Sequence, residues 1–243
     1  MSKKTCLILM LLISMSMLFL GIKIGSVQIS LTDLLQILVK KTVSEDGILE
    51  GIIWNVPRVV MAYLVGAGLA VSGTVMQSLL GNPLASSYTL GVSAGASLGA
   101  ALIMVTGVTA SILGAFLLPL TGFIFGLATV FLVLLFTQTM DSQMSNQTVV
   151  LVGMIMTLFV GAILTLITAL FQDYLKQLVF WQMGSFSGSN WQKIAIYCPI
   201  LLVSSLFLWF DANALDVLGL GEEHAMLAGV EVKTAKLRII LLA

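Results

Sequence analysis

Along the chain, long apolar runs alternate with short polar breaks. Six runs, at about 5–22, 56–80, 89–106, 111–136, 149–170 and 194–210, reach or approach the length of a membrane-crossing helix. A helix needs roughly 20 apolar residues to cross a hydrocarbon core of about 30 Å. A seventh run begins at Leu237 and stops at Ala243, so a further span is expected to be cut short there. The pattern predicts an all-α, polytopic membrane helix bundle of six spans plus the start of a seventh, forming one domain over 1–243. The first run follows Lys3-Lys4; it is long for a signal peptide and has no small-residue cleavage site after it, so it is read as a retained span.

Two polar breaks carry structure of their own. In the break at 23–55, Ser30-Leu-Thr-Asp33 opens like a helix cap, and Leu31, Leu34, Leu35 and Leu38 recur at helical spacing. That predicts an interfacial helix in an outer loop. The break at 211–236 holds "GLGEEHAMLAGV" (219–230), where two acids adjoin the only histidine. Asp211–Leu218 and Glu222–Ala228 are each about two turns long, separated by Gly219 and Gly221, with Gly229 as a natural stop. Glu222 and Glu223 occupy the first turn, where the helix dipole favours negative charge. Helices this short do not stand alone in water, so the segment must pack on something. It could pack on its own membrane domain, or offer Met226 and Leu227 to a cytoplasmic partner.

Composition agrees with the pattern. Residues are 59% hydrophobic and 9% charged, against roughly 25% charged in soluble domains. Zero net charge gives no basic surface for nucleic acid. Cys6 and Cys198 lie inside apolar runs and read as small buried hydrophobes. Lys3 and Lys4 favour a cytoplasmic N-terminus, and six crossings then place 211–236 in the cytoplasm. Lys23, Lys40, Lys41, Arg58, Lys176 and Lys193 fall in the proposed outer segments, so charge bias does not independently support that orientation.

Residues 91–95, Gly-Val-Ser-Ala-Gly, match the G-x-S-x-G nucleophile pattern. The only histidine, His224, lies in a distant loop, and no lysine base stands in that span. Gly91, Gly95 and Gly99 instead form a ridge of small residues that lets helices approach closely in lipid. Gly153, Thr157, Gly161 and Thr165 repeat the spacing with hydroxyls, giving either another packing ridge or a mildly polar face along a translocation path. No span carries a clear acid or lysine at its centre, which argues against a proton relay. A P-loop is absent, so ATP would have to be hydrolysed by another chain. H-E-x-x-H and clustered Cys/His spacings are absent as well, so no metal or catalytic set is assigned.

Four stretches resemble the membrane permease subunit of ABC importers for iron-siderophores, haem and cobalamin (the FecCD type). They are "IGSVQISLTDLLQIL" (24–38), "VPRVVMAYLVGAGLAVSGTVMQSLLGNPLASSYTLGVSAGASLGA" (56–100), "WQMGSFSGSNW" (181–191) and "GLGEEHAMLAGVEV" (219–232). The resemblance implies a multi-pass protein of the bacterial cell membrane with about ten spans, paired with a second permease subunit. It implies two cytoplasmic ATPases that bind ATP-Mg, no cofactor on this chain, and an extracytoplasmic substrate-binding protein. It makes the segment holding Gly221, Glu222, Glu223, His224, Ala225, Met226, Leu227, Ala228 and Gly229 the coupling helix that docks into the ATPase. Arg58 would meet acids on the binding protein, and the fifth span, with Gly153, Thr157, Gly161 and Thr165, would line the central path.

This chain departs from the family pattern in two ways. Asn55 stands where related permeases often carry a second arginine, so Lys40 and Lys41 become alternative docking charges. About the last third of the family pattern is missing, including spans after the seventh, so the permease domain is expected to be incomplete at its C-terminus. The favoured function is inward transport of a bulky iron chelate or related ligand by alternating access. The alternatives are an intramembrane serine hydrolase using Ser93 and an inactive, truncated membrane scaffold.

Overall fold

A computed structural model of the chain describes residues 2–23, 46–108 and 112–243. Every regular element among them is helical. The α-helices are α1 (Lys3–Lys23), α2 (Asp46–Leu80), α3 (Val92–Val105), α4 (Ile112–Met140), α5 (Asn146–Leu170), α6 (Leu175–Met183), α7 (Trp191–Phe210), α8 (Ala212–Leu218), α9 (Glu222–Leu227) and α10 (Val232–Leu242). Two 3-10 turns, Ser87–Leu90 and Gln172–Tyr174, precede α3 and α6.

Among the described residues, five helices are long and apolar enough to cross a membrane: α1, α2, α4, α5 and α7. The run at 89–106, expected as a sixth span, yields only the 14 residues of α3. At 1.5 Å per residue that is about 21 Å, short of the hydrocarbon thickness. The cause is local. Ser87–Leu90 takes up the start of the run as a 3-10 turn, and Gly91 then adopts φ 77, a left-handed conformation open chiefly to glycine. Two other boundaries move. α10 already begins at Val232, ahead of the expected Leu237, and α2 is helical from Asp46, within the loop expected over 23–55. α2 runs through Pro57, which the apolar pattern placed at the helix start; a continuous helix is the conformation that satisfies backbone groups in lipid. The capping turn at Ser30–Asp33, the leucines at 31–38, and Lys40 and Lys41 lie outside the described residues.

Two compact units are formed, one from 1–68 with 185–202, the other from 69–184 with 203–243. In the first, Ser14 and Tyr63 hydroxyls hydrogen-bond at 2.7 Å. Gly21 faces Val59, and a Cβ built on Gly68 would lie 2.6 Å from the Tyr197 hydroxyl. α2 thus touches both α1 and α7 where glycine removes the side chain. In the second unit, Met76, Leu79, Val133, Met144, Val149, Leu218 and Ile239 share one buried apolar cluster. The long helices meanwhile keep large apolar side chains on their outer surface, among them Phe116, Phe123, Phe131, Leu158, Trp209 and Phe210. So much exposed apolar area suits helices facing lipid rather than water.

Candidate functional site

The 211–236 segment is ordered by its own chemistry. α9 ends where the Val230 N–H donates to the Ala225 carbonyl at 2.9 Å and the Gly229 N–H to the Met226 carbonyl at 3.0 Å. This is a Schellman closure, which puts Gly229 in the left-handed region at φ 83. The helix has two distinct sides. Ala225 is fully buried in the apolar cluster and Glu222 is turned inward. Glu223, His224 and Met226 are exposed, as are Ala228 and Gly229 beyond them, and Leu227 is 88% exposed with Leu220 at 72%.

Glu222 does more than complement its own helix. Its Oε1 accepts from the Asn146 backbone N–H at 2.7 Å, which is the first residue of α5, and from Lys236 Nζ at 2.8 Å. Lys236, in α10, is fully buried and also donates to the Met144 carbonyl at 2.7 Å. Burial pushes the Lys236 pKa down, opposed by the hydrogen bond and charge of Glu222 and by the charge of Asp141. The α4–α5 loop is shaped to receive it. Asp141 accepts from the Ser145 hydroxyl (2.6 Å), the Ser145 and Gln143 N–H groups (2.8 and 2.9 Å) and the Thr148 hydroxyl (3.1 Å). The Ser145 hydroxyl, then the Ser145 and Gln143 amides, hold the Asp141 carboxyl well below the usual carboxylate range. Met144, buried and at φ 55, presents its carbonyl to Lys236. A second clamp joins the same segment to α10: Arg238 Nε donates to Asp211 Oδ2 at 2.8 Å and its Nη2 to Oδ1.

Sequence reasoning missed Lys236, Asp141, Met144 and Asp211–Arg238 as parts of this site. Lys236 offered a faint signal, as a lysine at the edge of an apolar run. Its partner Met144 is 92 positions away and contributes only a backbone oxygen, which no residue pattern announces.

The small-residue positions fall into different surroundings. A Cβ on Gly95 would collide with the Thr129 hydroxyl and lie 2.7 Å from the Phe125 carbonyl, and one on Gly99 would lie 2.5 Å from the Thr121 carbonyl. One on Gly91 would stand 3.0 Å from the Thr157 hydroxyl. The row on α5 splits. Gly153 is buried against the Thr89 carbonyl, and Thr157 donates back to the Gly153 carbonyl at 2.8 Å. That pair packs within the chain, as the packing-ridge alternative has it. Gly161 has nothing within 4 Å of its missing side chain, and Thr165 is exposed.

Ser93 is exposed in the first turn of α3, beside an open recess of about 430 Å³ lined also by Ser97, Trp181 and Gln182. Among the described residues no base hydrogen-bonds to it, and a 3-10 turn precedes it where a nucleophile elbow has a strand. Arg58 is half-buried in α2, and its Nε has no acceptor among the described residues. Asn55 is buried at 1% exposure, so it does not serve as a docking surface. No cluster of three or more His, Cys, Asp or Glu suited to a metal occurs among the described residues.

The model of the FecCD transport family matches residues 8–243. The chain belongs to this family. FecCD relatives include an uncharacterized ABC transporter permease protein, YvrB, of Bacillus subtilis, 40% identical over 200 residues, covering 82% of this chain and 57% of that one. The molybdate import permease MolB of Haemophilus influenzae is 34% identical over 241 residues, 96% of this chain and 69% of that one. The hemin transport permease HmuU of Yersinia pestis is 34% identical over 78% of this chain and 57% of its own length. The chain therefore spans 57% to 69% of the length of these relatives. In structure it is similar to a transporter described as an ABC transporter of metal-chelate type in an inward-facing conformation, with TM-score 0.78 and 28% identity over 98% of this chain and 72% of that one.

Proposed function

We infer that this FecCD chain acts as the membrane-spanning permease subunit of a binding-protein-dependent ABC importer, moving a bulky chelate of the iron-siderophore, haem or cobalamin kind inward. It performs no covalent chemistry. A separate P-loop ATPase hydrolyses ATP, and its closure shifts the relative stability of inward- and outward-open arrangements. A second permease subunit, identical or different, completes the path, and the chain resides in the bacterial cell membrane with α9 on the cytoplasmic side.

The observation that carries this reading is the two-sidedness of α9. Its inner side is locked by Glu222 and Ala225, while Leu220, Met226 and Leu227 stand exposed in the segment that the family resemblance assigns to ATPase docking. A cluster of exposed apolar side chains beside exposed charge suits a protein partner more than solvent. The test is co-purification of the host's P-loop ATPase with the tagged chain from mild-detergent membranes. Leu227→Asp is expected to abolish recovery and Glu223→Arg to weaken it, with membrane insertion unchanged because both side chains are exposed. Full ATPase recovery with both variants would remove α9 from the docking role.

Arg58 fits the opposite partner. A half-buried guanidinium at the start of an apolar stretch can take an acid from the binding protein. Arg58→Glu is expected to lower affinity for that protein, with the loss largest at low salt because exposed charge contacts are screened. Equal affinity across salt would sink this assignment.

A further inference from the structure

An importer needs motion of its docking helix to reach the spans, yet α9 is six residues long and flanked by Gly219, Gly221 and Gly229. Such a helix could swivel on its glycines and absorb the motion. The geometry at Glu222 opposes that. One carboxylate oxygen ties α9 to the first backbone amide of α5 and to a lysine of α10, and that lysine is tied in turn to the α4–α5 loop. Two elements, α9 and the α4–α5 loop, converge on the one buried ammonium of α10. Charge-assisted hydrogen bonds of this length are strong and directional, and a lysine with no exposure has no competing water.

We propose that Glu222 and Lys236 are positioning residues that make α9 and the first turn of α5 move as one body. This rests on the reading that α9 receives the ATPase. The ridge of glycines on α3 then carries the displacement onward by contact, because α5 packs through Gly153 on the Thr89–Leu90 turn that leads into α3. Arg238–Asp211 performs the same service for α8 and α10. Neither Glu222 nor Lys236 touches the ligand or needs to touch the ATPase, so their loss should uncouple rather than unbind.

The experiment measures the linkage in the chain alone, then its consequence in the complex. With Cys6 and Cys198 replaced by alanine, nitroxide labels at Gln143→Cys and His224→Cys, both exposed positions, report the distance between the α4–α5 loop and α9. A narrow distribution is expected in the otherwise unchanged chain. Lys236→Met should broaden and shift it, because α9 is then held only by the Asn146 amide and Ala225. Glu222→Leu combined with Lys236→Met removes both charges and strands neither, so it serves as the second variant if Lys236→Met alone fails to insert. In reconstituted vesicles with the ATPase and binding protein, the unlabelled Lys236→Met chain should bind the ATPase normally, and the complex should still hydrolyse ATP. Its uptake per ATP should fall about tenfold, within the 5–150-fold span of ordinary coupling free energies.

An unchanged distance distribution in every variant that inserts would overturn the linkage. If the parent chain never binds an ATPase, the permease reading fails, while the free-chain distances still decide whether α9 and α5 form one body.

Discussion

The contact between α3 and α4 and the junction at Lys236 solve the same problem in opposite ways. At the first, Gly95 and Gly99 remove side chains so that one helix rests on the carbonyls of Phe125 and Thr121. At the second, a long charged side chain crosses a gap to gather a carboxylate and a carbonyl. The first is suited to lipid, where helices gain nothing from apolar burial and associate through close van der Waals approach. The second suits a polar edge, where a charge is affordable once it is paired. One fails by overcrowding, the other by losing a partner, and the two failures are separable.

The largest effect is expected at the charged junction. Lys236 has no exposure, whereas the Glu222 side chain keeps 21%. Removing the acid therefore strands a buried ammonium, while removing the lysine leaves a carboxylate that still reaches water and the Asn146 amide. Breaking a buried pair from the side that leaves an uncompensated charge costs about 3–5 kcal/mol. Glu222→Leu is expected to destabilise by this order, and Lys236→Met by clearly less, read as midpoint shifts in detergent-based unfolding. Equal losses would mean that the junction is wet and the asymmetry illusory. Next comes the glycine contact. A methyl group at Gly99 would meet the Thr121 carbonyl at 2.5 Å, and a backbone atom cannot rotate away. Gly99→Ala is expected to cost about 1–3 kcal/mol, the usual penalty for overpacking. Gly161→Ala is the matched control, since nothing lies within 4 Å of it. A Gly99→Ala chain as stable as that control would show that α3 and α4 can part without penalty.

The same contrast explains what could be read from sequence. Gly91, Gly95 and Gly99 are four apart, and spacing on a helix maps directly onto a face, so the ridge was legible without a fold. The stop at Gly229 was legible for the same local reason. The family was legible from motifs in order along the chain. Lys236 was not, because one of its two partners lies 92 positions away and is the backbone carbonyl of a left-handed residue, Met144. Gly153 and Gly161 share a face in the pattern but differ in what another segment places against them, which periodicity does not report. The 89–106 run was read as a span because apolar composition counts residues; it cannot see that Gly91 turns the chain and shortens α3.

The smallest effect expected is the one that separates the two regions by chemistry alone, because only one of them titrates. Asp141 holds the loop that offers Met144 to Lys236, and its carboxyl is kept well below the ordinary range by the Ser145 hydroxyl and the amides of Ser145 and Gln143. A depressed folded pKa means that its stabilisation is fully present above the unfolded value of about 3.9 and is lost as pH falls below it. Amide exchange at Gln143 and Ser145, corrected for intrinsic rates, should therefore lose protection as pH drops from about 5 to about 3. In Asp141→Asn the protection should be lower at the outset and lack that acid step, since the amide donates where the carboxylate accepted. Amides of α3 around Gly99 should show no step in either chain, because glycine packing on carbonyls contains nothing to protonate. Parallel loss of protection in α3 and in the 141–148 loop would mean that acid loosens the whole unit, and that the two regions are not independent supports of the fold.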